Sequence, residues 1–132
     1  MAVICTWRGP FRNDEVNALH AAAFGHAPAA DDWERQVERH SLGWVVARNE
    51  GTLAGFVNVV WDGGVHAWIQ DLMISDGHRR RGLGTALVVA AREAACRAGC
   101  EWLHVDFDEE HRVFYVEACG FTPAPAGLIA LR

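Results

Sequence analysis

The stretch ISDGHRRRGLGTALV, residues 74–88, decides the fold. Arg79, Arg80 and Arg81 lead into Gly82-Leu83-Gly84. Apolar residues then recur at helical spacing: Leu83, Leu87, Ala91, Ala94 and Ala98, with Gly99 as a C-terminal stop. A helix start presents free backbone N–H groups and a partial positive charge. Glycines let that backbone approach a ligand closely, and arginines add charge, so the combination suits phosphate. Two familiar phosphate loops do not fit. A P-loop needs Gly-x4-Gly-Lys-Ser/Thr, which this stretch lacks, and a dinucleotide fingerprint needs a third glycine where Leu87 stands. What remains is Arg-x-x-Gly-x-Gly between a strand and a helix. On spacing alone it reads either as a phosphate cradle or as a solvated turn.

Upstream of this stretch, VICTW reads as a first strand, and NDEVNALHAAAF as a helix with Asn13 and Asp14 at its start. After Pro28 a second helix begins near Asp31, with Trp33 and Val37 on one face. Three β-branched, aromatic runs follow. Asn49-Glu50-Gly51 and Asp62-Gly63-Gly64 punctuate them, which predicts an antiparallel meander. Downstream, CEWLHVDFD alternates as a strand, EEHRVFYVEACG reads as a short helix, and FTPAPAGLIALR as a closing strand. The expected order is β-α-α-β-β-β-α-β-α-β, an α/β mixed sheet. Only residues 65–108 require a parallel pair and a right-handed crossover.

The 132 residues predict a single domain spanning 1–132, and a hydrophobic content of 51% supplies its core. The formal charge of −5 argues against a nucleic-acid partner, and the triple arginine is a local positive spot on an acidic chain. No window approaches the roughly 18 apolar residues that span a bilayer. The opening MAVICTWRGPF has neither the charged leader nor the long apolar core of a signal peptide. A soluble, cytoplasmic protein is expected, with Cys5, Cys96, Cys100 and Cys119 as reduced and mostly buried thiols and no metal site.

DLMIS, HRRRGLGTAL, LHVDF and FYVEACGF together resemble the GNAT N-acetyltransferase superfamily, over about two-thirds of the chain. The resemblance implies a GNAT-like fold, with a sheet that splits between the strand of Leu72 and the strand of Val105. It implies acetyl-CoA as cosubstrate in that opening. The pantetheine arm would pair with backbone at Leu72, Met73 and Ile74. The phosphates would lie on Arg79, Arg80, Arg81, Gly82, Leu83, Gly84 and Thr85. The sequence departs from the pattern in the last helix. The usual tyrosine lies four residues before the closing glycine; here Val116 holds that slot and Tyr115 stands one residue earlier. One helical residue is a rotation of about 100°, which a local π-bulge would absorb.

Acetylating an amine takes a base for the ammonium, stabilisation of the developing oxyanion and an acid for the leaving thiolate. By resemblance Tyr115, the chain's single tyrosine, is the acid, and backbone N–H near Met73 steadies the oxyanion. On LHVDFD, Leu103, Val105 and Phe107 share one face, and His104, Asp106 and Asp108 share the other. A polar row on an inner strand faces water or a site. Counting back from Gly120 puts His104 in the slot where some family members carry a glutamate base. Asp71 is a second candidate base. Trp33, Trp61, His66, Trp68 and Asp106 are candidates for the acceptor pocket, with Trp61 and Trp68 expected to meet across their hairpin. The function expected is direct acetyl transfer to a small-molecule amine, by a monomer or homodimer. Acetylation of a protein amine and a non-catalytic acyl-CoA sensor are the alternatives.

Overall fold

Period-2 burial builds the centre of the protein. Val45, Ala47, Val57, Val59, Ala67 and Ile69 pack on one side, with Leu83, Leu87, Ala91 and Ala95 of the long helix. Trp44, Val46, Phe56 and Met73 pack with Val16, Leu19, Trp33 and Val37 of the two early helices. In the computed structural model, which describes residues 2–132, these positions lie on one five-stranded sheet. The strands are β1 (Val3–Trp7), β2 (Ser41–Asn49), β3 (Thr52–Trp61), β4 (His66–Ile74) and β5 (Trp102–Val105), in spatial order β1-β2-β3-β4-β5. All pairs are antiparallel except β4–β5, which is parallel. Helix α1 (Asn13–Phe24) and α2 (Trp33–His40) cover one face, and α3 (Leu83–Arg97) covers the other as the β4–β5 crossover. Leu87 presses close at Gly55, where an added Cβ would meet its Cδ1 at 2.9 Å.

Polar contacts fix the early helices. Arg48 on β2 donates to both Glu15 carboxylate oxygens, at 2.8 and 2.9 Å, and ties the first turn of α1 to the sheet. That pair holds the Glu15 carboxyl down to about 2, chiefly through the Arg48 hydrogen bonds. Asn13, expected to cap α1, is its first helical residue. Its side chain instead donates to Asp32 and accepts the Glu34 N–H at the start of α2.

The C-terminal part departs from the expected order. The last helix is a π-helix, Val113–Ala118, with the Cys119 N–H donating five residues back to the Phe114 carbonyl at 3.0 Å. Residues 121–132 form no strand. Pro123 and Pro125 lack the N–H groups a ladder needs, and Leu128, Ile129 and Leu131 are at least 84% exposed. The apolar run that suggests a strand therefore packs on little. The cysteines are unpaired, as expected, but Cys96 is exposed and the other three are half-buried. Among the described residues, no helix is long and apolar enough to cross a membrane.

Candidate active site

The sheet opens where β4 outruns β5. Their pairing ends at Ile69 opposite Val105, yet β4 continues to Ile74. Residues 70–74 thus have no strand partner on that side. A second irregularity lies in the same segment. Phe56 pairs with Met73 and Asn58 with Gln70, so Val57 alone opposes both Asp71 and Leu72. This is a β-bulge, and Asp71 adopts a left-handed φ of +56° within it. The extra residue shifts the alternation: Met73 turns into the core at 1% exposure, while Leu72 and Ile74 line the opening. No periodic signal marks such an insertion; aspartate's tolerance of left-handed backbone is the one faint cue.

The opening is a cleft of about 1360 Å³. Its walls include Asp71, Leu72 and Ile74 of β4; Arg79, Arg80, Gly82, Leu83, Gly84 and Thr85 of the loop and α3; Asp106 after β5; and Phe114 and Tyr115 of the π-helix. The C-terminal turn of α1, through Ala22, Ala23, Phe24 and Gly25, also lines it; the first two helices were expected at the acceptor pocket, but none of these four residues was among the candidates.

At the start of α3, Gly82 takes φ +77° as N-cap, no side chain caps the helix, and its first turn holds no acidic residue. The first intrahelical bond runs from the Ala86 N–H to the Gly82 carbonyl at 3.0 Å. The amides of Leu83, Gly84 and Thr85 are therefore left for a ligand. Gly84 is needed for space: a Cβ there would lie 3.0 Å from Ile74 Cδ1 and 3.1 Å from Phe114. Arg81 lines a smaller cavity of about 280 Å³ beside β1, together with His78 and Cys5, so of the three arginines two line the cleft.

Tyr115 stands among aromatic rings, with centroids 5.5 Å from Phe107, 4.8 Å from Phe114 and 6.0 Å from Phe121. Burial, and secondarily Cys119, pushes its hydroxyl pKa up, which keeps the phenol protonated. Burial also raises the Asp71 carboxyl, opposed by the neighbouring His20 and Asn58. Asn58 is fully buried, and its oxygen accepts the Ser41 hydroxyl. A phenol and a half-buried carboxyl thus share one cleft with a helix N-terminus.

Other expected site residues lie elsewhere. His104 does not line the cleft; it bonds to His66 at 2.7 Å and stacks on Trp68 at 4.8 Å. Trp33 is a core residue, 5% exposed. Trp61 pairs with Ala67, and Trp68 with Val60, so the two tryptophans occupy successive positions and project to opposite faces of the sheet. Trp61 instead donates to the Gly64 carbonyl within its own turn.

Known proteins share this architecture. Mycothiol acetyltransferase of Nocardia farcinica is 35% identical over 100 residues, covering 70% of this chain but 31% of that protein. Among solved structures, a GNAT-family acetyltransferase of Streptococcus pneumoniae superposes with a TM-score of 0.78 at 20% identity, over 99% of this chain and 98% of that one. Glucosamine-6-phosphate N-acetyltransferase of Arabidopsis thaliana gives 0.75 at 17%, covering 98% of each chain. The aminoglycoside N-acetyltransferase AAC(6')-Iy in complex with CoA gives 0.78 at 17%, over 99% of this chain and 95% of that one. At these identities the structural likenesses establish the fold. A sequence model of the acetyltransferase (GNAT) family matches residues 8–121, nearly the whole chain, and with it the chain belongs to the GNAT acetyltransferase family.

Proposed function

We propose that the protein is a single-domain N-acetyltransferase that moves an acetyl group directly from acetyl-CoA to the amine of a small molecule. One observation carries the reading: a single cleft joins an uncapped helix N-terminus and two arginines to an unpaired strand edge, a half-buried carboxyl and a phenol. Acetyl-CoA fits these groups, and when bound it supplies an activated acetyl thioester. Arg79, Arg80 and the amides of Leu83, Gly84 and Thr85 hold its phosphates. The free backbone of β4 at Leu72, Met73 and Ile74 offers strand-like hydrogen bonds to its pantetheine amides. Asp71, whose carboxyl burial makes more basic, takes the proton of the acceptor ammonium. Tyr115, kept protonated, gives a proton to the departing sulfur. Structural neighbours named for aminoglycoside and glucosamine-6-phosphate acetylation support a small-molecule acceptor.

The test is release of free thiol from acetyl-CoA against a panel of small amines, with CoA affinity measured in parallel. CoA binding together with amine-dependent thiol release is expected. CoA binding without release for any amine would replace this reading with a sensor module.

A further inference from the structure

We infer that the smaller cavity beside β1 is a second ligand site, which takes a monoanion on a short apolar chain, such as a small aliphatic carboxylate, and weakens CoA binding when filled. The site stands on its own residues; its effect on CoA rests on the reading above. The cavity measures about 280 Å³ and lies between β1, the loop before α3 and the first turns of α3. Gly82 and Leu83 line it, and the same two residues line the cleft. One stretch of backbone is thus the partition between two cavities.

The backbone of the loop separates its arginines. Arg80 holds a left-handed φ of +61°, uncommon without glycine, and Gly82 one of +77°. Arg80 lines the cleft, whereas Arg81, between these two turns, lines the smaller cavity. Arg79 is engaged with Asp76 at 3.3 Å. Among the described residues Arg81 has no acidic partner, and no carboxylate lines its cavity. His78, the other basic group there, is held on both ring nitrogens, by Ser75 at 2.6 Å and by the Asn49 amide at 2.8 Å. Arg81 is therefore the group left to meet a ligand's charge.

The remaining walls set the rest of the ligand. Val3, Cys5, Leu83 and Ala86 offer apolar or weakly polar surface. A guanidinium matches a carboxylate with two parallel hydrogen bonds. One charged anchor among apolar walls is the usual make-up of a small-molecule pocket, and 280 Å³ lies at the small end of such pockets. Charge also sets the direction of the coupling. A carboxylate on Arg81 lowers the positive potential at the neighbouring partition, where CoA's phosphates are held from the other side. The two anions repel across Gly82 and Leu83, so each weakens the binding of the other.

Pentanoate is the probe, with pentanol as its uncharged analogue and inorganic phosphate as an anion without a tail. In the ligand-free protein, ¹H–¹⁵N NMR should show saturable shifts of the Arg81, Gly82 and Ala86 amides with pentanoate, and weaker ones with either control. Equal shifts with pentanol would overturn the role of Arg81. Equal shifts with phosphate would mean an adventitious ion only, and would overturn the site. Saturating pentanoate should raise the CoA Kd about fivefold, the low end of ligand couplings, and less at high salt. Ala86→Leu fills the cavity from an exposed helical position outside the cleft lining. This variant should fold, bind CoA as the parent does and lose both responses. An undiminished response in Ala86→Leu would place pentanoate elsewhere and overturn the inference. Saturable shifts with an unchanged CoA Kd would overturn the coupling. A parent protein that takes pentanoate but not CoA would overturn the acetyltransferase reading, and the coupling with it, and would leave the second site standing.

Discussion

Two walls of the cleft are built in the same way from different material. On β4, Val57 opposes two residues instead of one, and the extra residue brings Asp71 to the opening. On the opposite side of the chemistry, Val113–Ala118 winds as a π-helix, and the extra residue lets Tyr115 line the same cleft although Val116 holds the usual slot. Each wall carries one inserted residue and one ionisable group. The remainder of the sheet, with two further register shifts between β2 and β3, and α3 supply packing. The comparison teaches that the Asp71 carboxyl and the Tyr115 phenol both reach the cleft from places where periodicity is broken. An insertion aims a side chain without disturbing the regular core on either side.

The two walls should not respond equally when their ionisable groups are removed. The larger loss is expected at Asp71, because an alkyl ammonium, with a pKa near 10.4, cannot attack until it is deprotonated. Asp71→Asn should lower kcat on the order of 10²-fold or more with an ammonium acceptor, with CoA affinity unchanged. The same variant should be more stable at neutral pH. Burial raises the folded carboxyl pKa above its unfolded value, so ionisation opposes folding. That penalty is absent below the unfolded value, about 3.9, and grows as pH rises through the folded value. Melting scans should therefore show an advantage for Asp71→Asn at pH 7 that narrows as pH falls through the folded value toward the unfolded one. An advantage independent of pH would assign the gain to the strained φ instead.

A smaller loss is expected at Tyr115. A thiolate with a free pKa of about 8.5 is a fair leaving group even without an acid. Tyr115→Phe keeps the ring packing against Phe107 and Phe114 and removes only the hydroxyl. Turnover should fall more than about tenfold, with CoA affinity nearly unchanged. Full activity would remove this wall from the chemistry. The smallest effect is expected at His104, which is held by His66 and Trp68 and lies outside the cleft lining. His104→Gln should change kcat and CoA affinity little. A selective loss of kcat would move the base from β4 to β5.

The regular parts of the molecule were legible in the sequence. The start of α3 announces itself because Gly82 and Gly84 have distinct physical jobs, one a left-handed φ and the other a close approach to Ile74 and Phe114. The meander is legible through its two glycine turns and its alternation. The bulge is not, since one extra residue in DLMIS looks like ordinary strand. The tryptophan pairing failed on a one-residue register, and the closing strand failed on its two prolines. The displaced tyrosine was the exception, because a family spacing off by one points directly at a π-type insertion.

The most direct test of the two-wall account is the turnover of a chain from which Val116 is deleted. Deletion removes the extra residue and returns Tyr115 to four residues before the glycine, so an ordinary α-helical turn can present the phenol to the cleft. The account expects a folded, CoA-binding protein with turnover of the same order as the parent, and expects Tyr115→Phe to cripple it as it cripples the parent. A folded, CoA-binding deletion variant whose turnover has already dropped to the level of Tyr115→Phe would contradict the account.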